Sequence, residues 1–177
     1  MSRFERHEEH GSLIDGPMER LFEYLDDQTH LTDHMSKPSW KMGWGRMVTE
    51  LDDRKGRSVG SYIHIHGRVF GMRLFVDEIV TEREPPLRKV WETAGEPRLL
   101  VIGPYRMGFN LEPENSAVRL RVTLHYDLPA KGMSRLLGLV FGKAYAKWCT
   151  RQMAEDAQRH FNRHSEPILR PFVDESR

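Results

Sequence analysis

The groups in this chain with useful chemistry near neutral pH are its histidines and its single cysteine, Cys149. His64 and His66 stand at i, i+2 and would share one face of a strand, as paired metal ligands must. His30 and His34, at i, i+4, would share one face of a helix. One familiar His-x-His metal motif adds a Glu a few residues later, and here Arg68, Val69, Phe70 and Gly71 follow instead. With Ile63 and Ile65 turned to the core, Tyr62, His64 and His66 fall on the solvent face, so no metal is expected. His7, His10, His160 and His164 lie in polar ends and read as solvated. Cys149 falls among small residues at helical spacing, where cysteine serves as a compact apolar filler more often than as a thiolate. The chain has no G-x-S-x-G elbow, phosphate-binding loop or dinucleotide fingerprint, and Gly43-Trp44-Gly45 lacks the third glycine and a following helix. No cofactor is expected.

Acid–base chemistry demands less, because one or two polar groups in an apolar cavity suffice once their pKa values are displaced. The candidates are His34, which shares a helical face with Leu31 and Met35, and Tyr105. Asp77 and Glu92 point inward in one strand register and outward in the other, since a one-residue slip reverses every side chain. An apolar ligand would find Met35, Trp40, Met42, Trp44, Met47, Trp91, Tyr105, Met107 and Phe109 on the strands and their approaches. From the last helix it would meet Gly142, Ala146 and Cys149.

The elements that position these groups are legible from period and punctuation. Residues 3–14 read as a polar strand. Asp15-Gly16-Pro17 then starts a helix, with Met18, Leu21, Phe22 and Leu25 on one face. A second short helix fits Thr29 to about Met35, closed by Pro38. Strand-like segments follow at 40–51, 58–69, 72–83, 88–94, 99–111 and 116–128, separated by turn residues such as Pro85-Pro86 and Glu114-Asn115. The last is the clearest: Val118, Leu120, Val122, Leu124 and Tyr126 alternate with Arg119, Arg121, Thr123 and His125. Short connections without helices between them imply an antiparallel meander.

From Met133 to Phe161 no proline occurs, and about 29 residues at 1.5 Å each make a helix of roughly 43 Å. One stripe, Leu139, Gly142, Ala146, Cys149, Met153, Ala157 and Phe161, suits a face turned to the sheet; small residues in its middle would leave a gap there. Leu137, Phe141, Ala144, Tyr145 and Trp148 make the first half apolar nearly all round, whereas Lys147, Arg151, Glu155 and Arg159 make the second half amphipathic. The segment 136–142, flanked by Lys131, Arg135, Lys143 and Lys147, is expected to be covered by loops and the first helices. Left open, it would suit a partner subunit, as in a homodimer, or a membrane surface.

Length fits one domain over residues 1–161 with a polar tail at 162–177. Charge is nearly balanced, at +1, so there is no electrostatic case for nucleic acid. Lone Cys149 excludes an internal disulfide framework. No apolar run suggests a signal or a membrane span, and a cytoplasmic protein is the expectation.

Together these pieces resemble the helix-grip fold of the SRPBCC (START-like) superfamily, with a texture similar to its polyketide cyclase/dehydrase-type members. The resemblance rests on the opening strand running into Ile14–Asp26, on Val80-Thr81-Glu82-Arg83-Glu84-Pro85-Pro86 with Lys89-Val90-Trp91 soon after, on Phe109-Asn110-Leu111-Glu112-Pro113, and on the long C-terminal helix. It covers roughly residues 3–161. It implies an α+β fold in which a curved antiparallel sheet wraps a long C-terminal helix, with two short helices after the first strand. It also implies a cavity for a small hydrophobic or amphipathic molecule such as a lipid, polyketide or aromatic. It implies no single activity: carriers, receptors and cyclases share the fold.

Overall fold

A computed structural model describes residues 4–29, 46–69 and 71–165. Among these residues, seven strands and two helices run in the order β1 (Arg6–Asp15), α1 (Met18–Asp26), β2 (Arg46–Leu51), β3 (Tyr62–Val69), β4 (Met72–Glu84), β5 (Arg88–Arg98), β6 (Tyr105–Glu114), β7 (Ala117–Tyr126) and α2 (Gly132–Ser165). All neighbours pair antiparallel in one sheet of order β1-β7-β6-β5-β4-β3-β2. This is the curved sheet and long C-terminal helix that the sequence implies, with a short helix after the first strand. The second short helix expected at Thr29–Met35 falls almost wholly outside the described residues, as do His34, Met35, Trp40, Met42 and Trp44.

Pro17 stands at the N-cap of α1, where its carbonyl accepts from the Leu21 amide at 3.1 Å. Leu21, Phe22 and Leu25 are buried, so the apolar face read from spacing is the face that packs. On β7 the alternation holds residue for residue, with Val118, Leu120, Val122, Leu124 and Tyr126 all inside. On β3, Ile63 and Ile65 are inside and Tyr62 is exposed, as expected.

β4 departs from simple alternation. Val80 pairs with Trp91, yet Glu82 pairs with Val90, so Thr81 is an extra residue in a β-bulge. Partners directly opposite share a face. Arg83, opposite Lys89, therefore faces the same side as Glu78 and Val80. The bulge aims Arg83 at the end of α1.

α2 lies chiefly over β1 and β7. Its buried stripe is Gly138, Gly142, Ala146, Thr150, Met153, Ala154 and Ala157. Spacing alone places Leu139 on that stripe; instead it is half-exposed, and Gly138 takes the sheet-side place. The expected gap at the small residues does not form at Gly142. A Cβ there would stand 3.0 Å from the Val101 carbonyl oxygen, and one at Gly138 would stand 2.8 Å from Pro129 Cδ. These glycines bring the helix against the β5–β6 connection and the end of β7, rather than holding it away. The apolar outer side of the first turns is open rather than covered, with Met133 70% and Val140 62% exposed. The helix also runs to Ser165, into the stretch read as tail.

Candidate functional site

Along one row of the sheet's inner face stand Ile63 on β3, Glu78 on β4 and Thr93 on β5. Tyr105 on β6 ends the row, its backbone amide donating to Thr93 Oγ1 at 3.0 Å. Two strand spacings span roughly 10 Å, within reach of a long side chain laid over a short one. Tyr105 uses that reach: its hydroxyl donates to Glu78 Oε1 across β5. The Trp91 side chain donates to the same carboxyl. Glu78 is only 3% exposed, and Tyr105 is buried beside it.

Burial dominates the electrostatics of this group. It pushes Glu78 up to about 7, against the opposing effects of the Tyr105 hydrogen bond, the Lys89 charge and the Trp91 hydrogen bond. Such a carboxyl exchanges its proton near neutral pH, in a position where water does not compete for it. Burial, and then the Glu78 charge, hold the Tyr105 phenol well above its ordinary value, so it remains a donor. α2 adds Tyr145 and Cys149, which hydrogen-bond to one another and sense the same centre. Burial pushes the Cys149 thiol up to about 12, so it is a neutral group there and not a nucleophile.

A second polar centre ties α1 to this row. The Asp26 carboxylate accepts from Arg83 Nε at 3.1 Å and from its terminal nitrogen at 2.9 Å. Lys89 Nζ lies 2.9 Å from Asp26 Oδ1 and donates to the Asp26 carbonyl at 2.8 Å. Burial would raise the Asp26 pKa, but the bonds and charges of Arg83 and Lys89 outweigh it and hold the carboxyl below the usual range. Lys89 is fully buried, and burial lowers its pKa against the pull of Asp26. The Arg83 guanidinium also lies over the Phe22 ring, 5.4 Å from its centre. Outside this triad a cleft of about 490 Å³ opens between α1 and the β4–β5 turn, lined by Glu19, Phe22, Glu23, Asp26, Arg57, Arg83, Pro85 and Pro86.

Of the residues singled out from sequence, Trp91, Tyr105, Met107 and Phe109 lie on the inner face of β5 and β6. Phe109 packs edge-on against Phe22 of α1. Ala146 is buried, while Met107, Tyr145 and Cys149 are only partly so. Asp77 and Glu92 are on the outer side: Asp77 hydrogen-bonds His64, its cross-strand partner, and Glu92 follows inward-facing Trp91. The inward carboxyl is Glu78, and the sequence carries a signal for it. Leu74, Val76, Glu78 and Val80 share one parity, so an acid occupies an apolar slot. Among the described residues no three His, Cys, Asp or Glu side chains group as metal ligands.

No protein-family model matches the sequence, nor does any curated protein. Solved structures do match in fold. TTHA0849 from Thermus thermophilus is similar at a TM-score of 0.65 and 15% identity, over 91% of this chain and 100% of that one. Ara h 8.0201 is similar at 0.57 and 12% identity, over 89% and 98%. The Aha1 dimer from Colwellia psychrerythraea gives 0.57 and 16%, over 91% and 99%. These likenesses show a helix-grip fold, a curved antiparallel sheet around a long C-terminal helix. At these identities the helix-grip likeness extends to architecture and not to activity. No helix among the described residues is long and apolar enough to cross a membrane.

Proposed function

We propose that the protein binds a small hydrophobic or amphipathic molecule between the inner face of β4–β6 and α2, with Glu78 and Tyr105 meeting its polar group. The observation that carries this reading is a carboxyl and a phenol paired within an apolar interior, facing half-buried Met107, Tyr145 and Cys149. Apolar walls with a few convergent polar groups are the usual make-up of a ligand site. A thermal-shift panel of fatty acids, sterols, aromatic polyketides and their uncharged analogues tests it. At least one class should raise Tm by several degrees, and Glu78→Gln should change which member binds best. A panel without any shift sinks the reading.

A second reading is favoured by one observation, the poise of Glu78 near 7. A group so placed can take a proton from a bound carbonyl compound and return it, as a cyclase or isomerase of poly-β-ketones would require. Turnover that falls at least about 100-fold in Glu78→Gln while ligand binding persists supports it; equal rates in the variant and the native protein remove it.

A further inference from the structure

The first turns of α2 present an outward face that the helix-to-sheet packing does not use. Met133, Leu136, Val140 and Phe141 are 70%, 57%, 62% and 53% exposed. At 100° per residue, Met133, Leu136, Val140 and Ala144 fall on the side opposite buried Gly138, Gly142 and Ala146, with Phe141 at its margin. Further along, the same side carries Lys147, Arg151 and Glu155. The change from apolar to charged therefore occurs within one helix and on one side of it. A helix needed only to cover a sheet would be polar along its whole outer side.

The charge bordering this face has one sign. From Leu128 to Thr150 the charged residues are Lys131, Arg135, Lys143 and Lys147, with no Asp or Glu, and Lys143 and Lys147 stand beside the apolar side chains; Arg151, further along, pairs with Glu155. The rest of the chain is net acidic, since the whole carries only +1. Apolar side chains bordered by lysine match an anionic lipid surface: the side chains enter the headgroup boundary, and the cations meet lipid phosphates. A second copy of the chain is the poorer fit. A two-fold contact would set this patch against itself and bring the cations together with no acid among them.

We propose that the outward face of residues 133–144 of α2 docks on membranes rich in anionic phospholipid, with Met133, Leu136, Val140 and Phe141 seated among the headgroups. Docking is peripheral, and the helix lies in the plane of the surface. It stands apart from the ligand reading above, since lipid contact here needs no occupant between sheet and helix.

Co-sedimentation of the full chain with vesicles tests it, using phosphatidylcholine alone and a 70:30 mixture of phosphatidylcholine and phosphatidylglycerol. The mixed vesicles should carry down the protein at least about tenfold more strongly in 50 mM than in 500 mM salt, and plain phosphatidylcholine should carry little. Phe141→Glu, and separately Lys143→Glu with Lys147→Glu, should each weaken the association by about tenfold or more. These positions are on the surface, so an unchanged unfolding midpoint establishes that the variants are folded. Failure of the native protein to bind mixed vesicles at low salt overturns the proposal. So does a native dimer at micromolar concentration that Phe141→Glu converts to monomer, because the patch would then be covered by a second copy.

Discussion

The Tyr105 hydroxyl donates to the Glu78 carboxyl across an intervening strand, and Thr93 on that strand accepts the Tyr105 amide proton. A short side chain on β5 thus lets a long one on β6 reach an acid on β4. The arrangement keeps Glu78 hydrogen-bonded and still costs stability, since burial outweighs the bonds that favour its charged form.

Glu78 holds its proton more tightly in the folded protein than in the unfolded chain, at about 7 against 4.5. Its contribution to stability is complete below about pH 4.5 and is lost as pH rises towards 7. Urea unfolding at pH 5 and pH 8 should show the native protein losing on the order of 3 kcal/mol more across that interval than Glu78→Gln does. Parallel pH profiles for the two proteins would contradict the assignment.

The Asp26 triad behaves in the opposite sense. Its carboxyl lies below the ordinary value of 3.8, so the stability it supplies is present above that value and is lost as pH falls through its depressed pKa. Asp26→Ala removes the carboxylate that directly pairs buried Lys89 and should cost about 3–5 kcal/mol by denaturant titration. Replacing Lys89 by Met in the same chain should restore much of the loss, and no restoration would mean that the loss does not come from Lys89.

Gly138 reverses the usual helix rule. Alanine in place of an interior glycine ordinarily stabilises a helix by about 0.5–1 kcal/mol. Here the added carbon would lie 2.9 Å from the Val101 carbonyl oxygen as well as against Pro129, so Gly138→Ala should lower stability by about 1–3 kcal/mol. A higher Tm for the variant would show that the contact yields.

Cys149 should be inert in the folded state. With its thiol pushed up to about 12, alkylation by iodoacetamide at pH 8 should run at least about 100-fold slower than in the urea-unfolded chain. Equal rates would place the thiol in a different environment.

Most of the architecture can be read from period and punctuation, because β7, α1 and α2 each bury one face. Val118 to Tyr126 alternate without exception, and Met18 to Leu25 recur at helical spacing. The site is legible only in part. Tyr105, Trp91, Met107 and Phe109 stand out because large side chains on a sheet's inner face must pack there. Among the acids, the sequence pattern draws attention to Asp77 rather than its neighbour Glu78, although parity with Leu74, Val76 and Val80 marks Glu78 as inward. Trp91 likewise fixes Glu92 outward, since adjacent strand residues oppose one another. The bulge at Thr81, which turns Arg83 towards Asp26, has no period to betray it. Glycine on α2 carries two opposite meanings, a gap or a close approach, and only the neighbours of Gly138 and Gly142 decide between them.

Native mass spectrometry of the purified full chain is the most direct test of the ligand reading. The native protein should show a population heavier than the 20.8 kDa chain by one small molecule, released on denaturation and extractable into organic solvent. Glu78→Ala should show less of that population than the native protein. A native protein that carries only its own mass, and still carries only that mass after incubation with fatty acids, sterols and aromatic polyketides, would contradict the ligand reading.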